Sequence, residues 1–178
     1  EWRVGVGDGF PGWACLRRGT VAAVAVAGAA AAGPFGNPAL AASTPSATGA
    51  LGILNDALTL EFLESYFYNT VAKTANLTGE AKTLAALIAS HEAAHVAGLI
   101  AAIKRAGGTP VTSPTFKFPA STQKQKGFLA LASVIENTGV RDYNGPGPLL
   151  MTKQNLATSR AIVPYEVRNA TEIKYFTG

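Results

Sequence analysis

Sulfur, charge and histidine are all scarce in this chain. Its 178 residues include one cysteine, one methionine and two histidines, and only 15% are Asp, Glu, Lys or Arg. A single cysteine, Cys15, excludes a disulfide framework and any thiolate-rich zinc or iron–sulfur site. The formal charge is only +4, on scattered Lys and Arg. Without a concentrated basic stripe, no nucleic-acid partner is expected. No stretch alternates with period two over a useful length, so a sheet is not expected either. What is abundant is apolar: 48% of the residues are hydrophobic, which excludes a disordered protein, and the length suits one domain.

The first forty residues read as an export signal. Arg17-Arg18 precede an unbroken small-apolar run from Val21 to Ala32, followed by Gly33-Pro34 and Ala39-Leu40-Ala41. A basic pair, a short apolar stretch and an Ala-x-Ala end in that order form a cleavable leader. The run covers 12 residues, where about 20 are needed to cross a ~30 Å hydrocarbon core. No stable membrane span is therefore expected after cleavage. The twin arginine points to the route that carries folded cargo, with the general secretion route as the alternative. The expected organisation is an export signal with an upstream extension over 1–41, a linker over 42–50 and one helical domain over 51–178. Three basic residues (Arg3, Arg17, Arg18), two acidic ones (Glu1, Asp8) and Cys15 leave with the leader. The mature chain then has no thiol, is destined for the periplasm or the exterior, and relies on its core for stability.

Four helices are predicted beyond the linker. The first runs from Leu51 to about Lys73, with Leu54, Leu58, Glu61, Ser65 and Tyr68 at helical spacing. The second starts after Thr78, whose hydroxyl can cap it, and carries Ala81, Leu84, Leu87, Ile88, Ala94 and Leu99 inward; Gly107-Gly108 end it. Residues 107–121 hold Pro110, Pro114 and Pro119 without periodicity, a long connection. The third helix is expected from about Thr122 to Asn137, stopped by Gly139, and the fourth from Thr152 to Tyr175 with Pro164 inside it. Four helices with a long middle connection suit a bundle with one crossover.

The acids fall on the wrong face for a simple core. Glu61 lies in the stripe of Leu54 and Leu58, Glu92 and His95 lie near Ile88 and Leu99, Glu136 follows Leu129 and Ala132, and Glu166 lies between Ile162 and Ile173. An unpaired buried carboxylate costs several kcal/mol or takes up a proton. Four of them converging need positive charge, and inward Lys or Arg candidates are few. Glu92 and His95 are three apart, so both side chains reach one point. A carboxylate-rich set with imidazole favours iron or manganese. Glu64 is less expected as a ligand than Glu61, lying one turn further near Leu60 and Phe67, and His91 is placed about 100° from Glu92, at the surface or behind the ligands.

These residues carry a resemblance. Leu54-Asn55-Asp56-Ala57-Leu58-Thr59-Leu60-Glu61-Phe62-Leu63-Glu64, His91-Glu92-Ala93-Ala94-His95, Glu136-Asn137-Thr138-Gly139-Val140 with Tyr143-Asn144-Gly145, and Glu166-Val167-Arg168-Asn169-Ala170 resemble the ferritin-like superfamily, specifically its exported, desiccation-related group. The resemblance spans about residues 50–175. It implies an all-α, ferritin-like four-helix bundle with a long crossover between helices 2 and 3. It also implies the ligand pattern of a Glu from each of two helices and a Glu-x-x-His from the other two. On this chain that pattern falls on Glu61, Glu92, His95, Glu136 and Glu166. Asn169 stands where the family has its second His, and its amide oxygen is a weak ligand for iron. The implied cofactor is one or two iron ions, with manganese as the alternative. The implied chemistry is oxidation of Fe(II) by O2 or peroxide in stress protection, and an oligomer is compatible with it.

Two other readings compete. A non-catalytic stress or desiccation bundle could keep the acids as a degenerate metal site. His91-Glu92-Ala93-Ala94-His95 also spells the H-E-x-x-H of zinc metalloproteases, although the mature chain has no third His. Tyr66, Tyr68 and Tyr143 neighbour the ligand segments; aromatic packing accounts for them, with electron relay as the alternative. The leader gives the first prediction. Replacing Arg17-Arg18 by two lysines should block export, measured as precursor retained in cells; undiminished secretion would assign the chain to the general route.

Overall fold

The computed structural model describes residues 2–3, 47–144 and 153–177. Of the predicted leader only Trp2–Arg3 is described; Cys15, Arg17-Arg18 and the 39–41 cleavage segment lie outside the described residues, as does Gly145 of the third motif.

Helix α1 spans Ala47–Tyr66 and continues through a π-helical turn, Phe67–Val71, into a last turn, Ala72–Thr74. It begins inside the segment expected to be linker, because the proline that suggested a linker is Pro45 and Ala50 is already buried. The π turn widens the helix by one residue. With it, the adjacent Phe67 and Tyr68 are both buried. Helix α2 spans Gly79–Arg105, and Gly107, at φ +76°, turns the chain after it. Thr78 stands at its N-cap, but its hydroxyl does not cap: both its N–H (2.9 Å) and its hydroxyl (3.2 Å) approach Gln125 Oε1, tying the start of α2 to the start of the third helix. Leu87 and Ala94 also depart from expectation and are exposed. The inward stripe of α2 is the narrower row Ala81, Leu84, Ala85, Ile88, Glu92, His95, Leu99 and Ile103. Long and apolar enough by composition to cross a membrane, α2 packs this row into the bundle as a core helix does.

The crossover holds a 3₁₀ turn, Ala120–Gln123, and one small departure from an all-helical chain. Strand β1 (Trp2–Arg3) pairs in parallel with β2 (Phe116–Lys117), two residues each, the only strand pair among the described residues. Helix α3 spans Gln125–Asn144, about two turns beyond the end expected at Asn137, so Gly139 does not break it. Helix α4 spans Lys153–Thr177 and accommodates Pro164. Helix α1 packs on α2 and α3 on α4, and contacts of α2 with α4 and α1 with α3 close the four-helix ring.

The core is divided. One apolar cluster joins Leu63, Phe67, Ile88, Phe128, Ile135 and Ile173; a second joins Leu54, Leu58, Leu99, Tyr143 and Ile162. Every helix passes from one cluster to the other, and each places a buried glutamate between them: Glu61 on α1, Glu92 on α2, Glu136 on α3 and Glu166 on α4. Phe128 anchors the first cluster, fully buried and stacked on Phe67 with ring centroids 4.4 Å apart. Phe128→Ala should therefore cost about 3–5 kcal/mol, read by denaturant unfolding, with the polar layer one cluster-edge away left able to bind metal.

Candidate metal centre

The polar layer converges. One ligand atom each from Glu61, Glu92, His95 and Glu166 lie within 4.8 Å of one another, all four residues being buried. His95 Nδ1 is the hub, 3.2 Å from Glu61 Oε2, 3.0 Å from Glu92 Oε2 and 3.2 Å from Glu166 Oε1. One N–H cannot satisfy three carboxylates, and Glu166 Oε1 has no hydrogen bond despite its proximity. Glu136 is completely buried in the same layer but stands outside this group of four. Thus the structure brings together four of the five expected ligands and sets the fifth beside them.

Three residues sit differently from expectation. Glu64, placed by sequence on the apolar side, is 2% exposed and lies in the acid layer. The three-residue step from Glu61 already contained that answer, by the same reasoning that pairs Glu92 with His95. Gly139 is the space that admits it: a Cβ there would meet Glu166 Oε2 and lie 3.0 Å from Glu64 Oε1. Hence a helix-weakening glycine persists in mid-helix. Tyr143 neither packs idly nor stands apart; its hydroxyl donates to Glu61 Oε1. Tyr68 is buried with an unpartnered hydroxyl, and Tyr66 is a surface ring stacked on Phe118.

Asn169 faces the centre, fully buried, as the phase of α4 predicted. Its Nδ2 donates to Glu92 Oε1 at 3.0 Å, and its Oδ1 lies 3.1 Å from His91 Nδ1. Arg168 Nη2 stands 3.0 Å from His91 Nε2. Arginine can only donate, so His91 accepts at Nε2, carries its proton on Nδ1 and donates to Asn169. Both His91 nitrogens are thereby engaged behind the carboxylates. That leaves no zinc-type pair of histidines on one point and removes the metalloprotease arrangement. Tyr165, which sequence reasoning missed, lies edge-on to both rings, 5.0 Å from His91 and 5.8 Å from His95, beneath Arg168.

Charge repulsion and burial dominate the electrostatics. Burial, then the neighbouring acids, push Glu64 well up, and burial likewise raises Glu92. Glu136 is pushed up to about 8 by burial and by Glu166, and Glu166 to about 7 by burial first. Burial alone would lower His95, but the carboxylates of Glu166, Glu61 and Glu92 outweigh it and hold it at about 12. Burial, aided by Arg168, keeps His91 below its ordinary value.

This donor set fits a metal cation. Glu64 Oε2, the Tyr68 hydroxyl and both oxygens of Glu136 and Glu166 are buried with no hydrogen-bond partner. Each such group costs about 1–3 kcal/mol. Five buried carboxylates face one imidazole, an imbalance that cations of charge two or three remove while supplying partners to the orphaned oxygens.

Comparison with known families agrees with this geometry. The sequence profile of the ferritin-like domain matches residues 49–178, which hold nearly all of the described residues. The chain belongs to the ferritin-like family. No curated protein matches it. Solved ferritin-like structures do. A ferritin-like, diiron-carboxylate protein of Bacillus anthracis superposes with TM-score 0.65 at 22% identity, covering 74% of this chain and 97% of its own. The dodecameric thioferritin of Bacteroides fragilis gives 0.67 at 17% identity, covering 75% and 86%. A conserved hypothetical protein of Mycobacterium tuberculosis gives 0.66 at 17% identity, covering 74% and 98%. At these identities the superpositions establish the ferritin-like bundle and nothing finer.

The pKa directions make a prediction for the metal-free ferritin-like domain. Folded Glu136 (about 8) and Glu166 (about 7) keep protons that unfolded glutamates, ordinarily at 4.5, have lost, and His95 (about 12) keeps one that an unfolded histidine loses above 6.5. Between about pH 5 and 9 the folded chain binds more protons, so stability falls as pH rises. Melting curves in chelator should shift down by several degrees from pH 5 to pH 9, and added Fe(II) or Mn(II) should reverse the shift, because metal replaces those protons.

Proposed function

We propose that this protein is an exported ferritin-like metal protein. It binds iron through Glu61, Glu92, His95 and Glu166 and oxidises Fe(II) with O2 or peroxide in stress or desiccation protection. The observation that carries the reading is the meeting of three buried carboxylates at one imidazole nitrogen, amid six buried oxygens without partners. Proteins do not assemble such a layer for stability, since apolar residues of similar volume serve a core better. The twin-arginine leader supports export of a folded, loaded protein. The names of the Bacillus anthracis and Bacteroides fragilis neighbours support a diiron carboxylate chemistry and an oligomeric form here.

Iron held by these residues would supply the electrons for reducing the oxidant. The chain's own residues hold and tune it. Tyr143 fixes one oxygen of Glu61, leaving the other to face His95. The relay from Arg168 through His91 and Asn169 fixes Glu92 Oε1. The two apolar clusters keep bulk water from both ends of the layer, which strengthens every charge interaction inside it.

The same Asn169 contact favours a second reading, a non-catalytic bundle with a degenerate site, because it engages Glu92 Oε1 where the family supplies a second imidazole. Elemental analysis of protein from iron-replete cells separates the two: the first reading requires close to one iron or more per chain, the second a trace. Glu92→Ala should abolish iron binding while circular dichroism retains the helices. Asn169→His should restore a second Glu-x-x-His with Glu166, raise iron toward two per chain with affinity gained by about 10–100-fold, and speed Fe(II) oxidation in an oxygen-electrode assay. A variant that gains neither iron nor rate would count against the metal reading of α4.

A further inference from the structure

We infer that Glu64 takes the place of the missing imidazole and builds, with Glu136 and Glu166, a second, all-oxygen cation position in the bundle core. This rests on the reading above that the layer binds metal, and it goes beyond it: the family pattern assigns no ligand to this position on α1. The layer has two unlike poles. At one, His95 gathers Glu61, Glu92 and Glu166 Oε1. At the other lie Glu64 Oε2, both oxygens of Glu136 and the Tyr68 hydroxyl that faces Glu136, none in a well-formed hydrogen bond and each on a residue no more than 2% exposed.

Glu166 connects the poles. Its Oε1 faces His95, while its Oε2 and Glu64 Oε1 both crowd the space that a Cβ on Gly139 would fill. One carboxylate can therefore serve both positions. The absence of a side chain at Gly139 is what lets α1 and α4 bring these two acids together over α3. These four oxygens come from three side chains next to a shared carboxylate, no Lys or Arg is buried among the described residues, and the single Tyr68 proton cannot serve them all, so they ask for a cation. The two positions differ chemically. A set with imidazole suits iron, whereas carboxylate and phenol oxygens alone suit a hard divalent ion such as Mn(II). Asn169 does not compete for that ion, because its Oδ1 is turned to His91 and its Nδ2, which donates to Glu92 and lies toward Glu136, offers no lone pair.

The test is Mn(II) titration of the full chain, stripped of metal, followed by electron paramagnetic resonance of free Mn(II). The expected result is two equivalents bound by the parent, the bound pair showing magnetic coupling through the shared carboxylate. Glu64→Gln should bind one equivalent, with the second weakened at least ~10-fold. If Glu64→Gln fails to fold, Glu64→Asp, which keeps the charge but withdraws it by one methylene, is read the same way. A parent that binds a single equivalent overturns the second position and leaves the proposed iron site standing. Two equivalents retained in the Glu64 variants overturn the role of Glu64. A parent that binds neither Mn(II) nor iron fails the proposed function itself.

Discussion

Mutual repulsion among five buried carboxylates is the constraint on which this structure turns. Glu61, Glu64, Glu92, Glu136 and Glu166 occupy one layer across the bundle, each almost fully excluded from solvent. In a medium of low dielectric such a layer is unfavourable by itself, whether the acids stay ionised or take up protons against their ordinary tendency. Two apolar clusters, one on either side, supply the burial that holds it in place. The fold thus stores an electrostatic demand in its centre, and only positive charge relieves it. His95 meets part of that demand and leaves the rest open.

The supporting residues are arranged around this demand. Gly139 gives up a side chain in mid-helix so that two carboxylates from other helices can meet over it. The π turn after Tyr66 accompanies two consecutive aromatic rings in the core, Phe67 to pack on Phe128 and Tyr68 to bring a hydroxyl to the layer. Tyr143 and Asn169 each donate to one oxygen of a carboxylate and leave its partner oxygen toward His95. An orientation fixed this way is what a metal centre requires of the groups behind its ligands. His95 gathers its carboxylates at one side, while Glu64 and Glu136 stand apart from any imidazole, so the layer is lopsided, nitrogen on one side and oxygen alone on the other.

What the sequence by itself determined is the set of helices and the inward phase of their acids. Leucine, alanine and isoleucine recur at 3.6-residue spacing, so the facing side of each helix was legible, and Glu61, Glu92, His95, Glu136, Glu166 and Asn169 all lie on it. Local signals were less dependable wherever another helix intervened. Thr78 has a capping residue's identity, yet Gln125 of a different helix captures its hydroxyl. Gly139 has a helix breaker's identity, yet the need for space beside Glu166 keeps it within α3. Only the tertiary structure decided which acids meet at His95, which stand beside it with Glu64, and what Tyr143 and His91 touch. The reason is physical: periodicity fixes the direction of a side chain relative to its own helix axis, whereas distances between carboxylates depend on how far one helix slides and turns against the next.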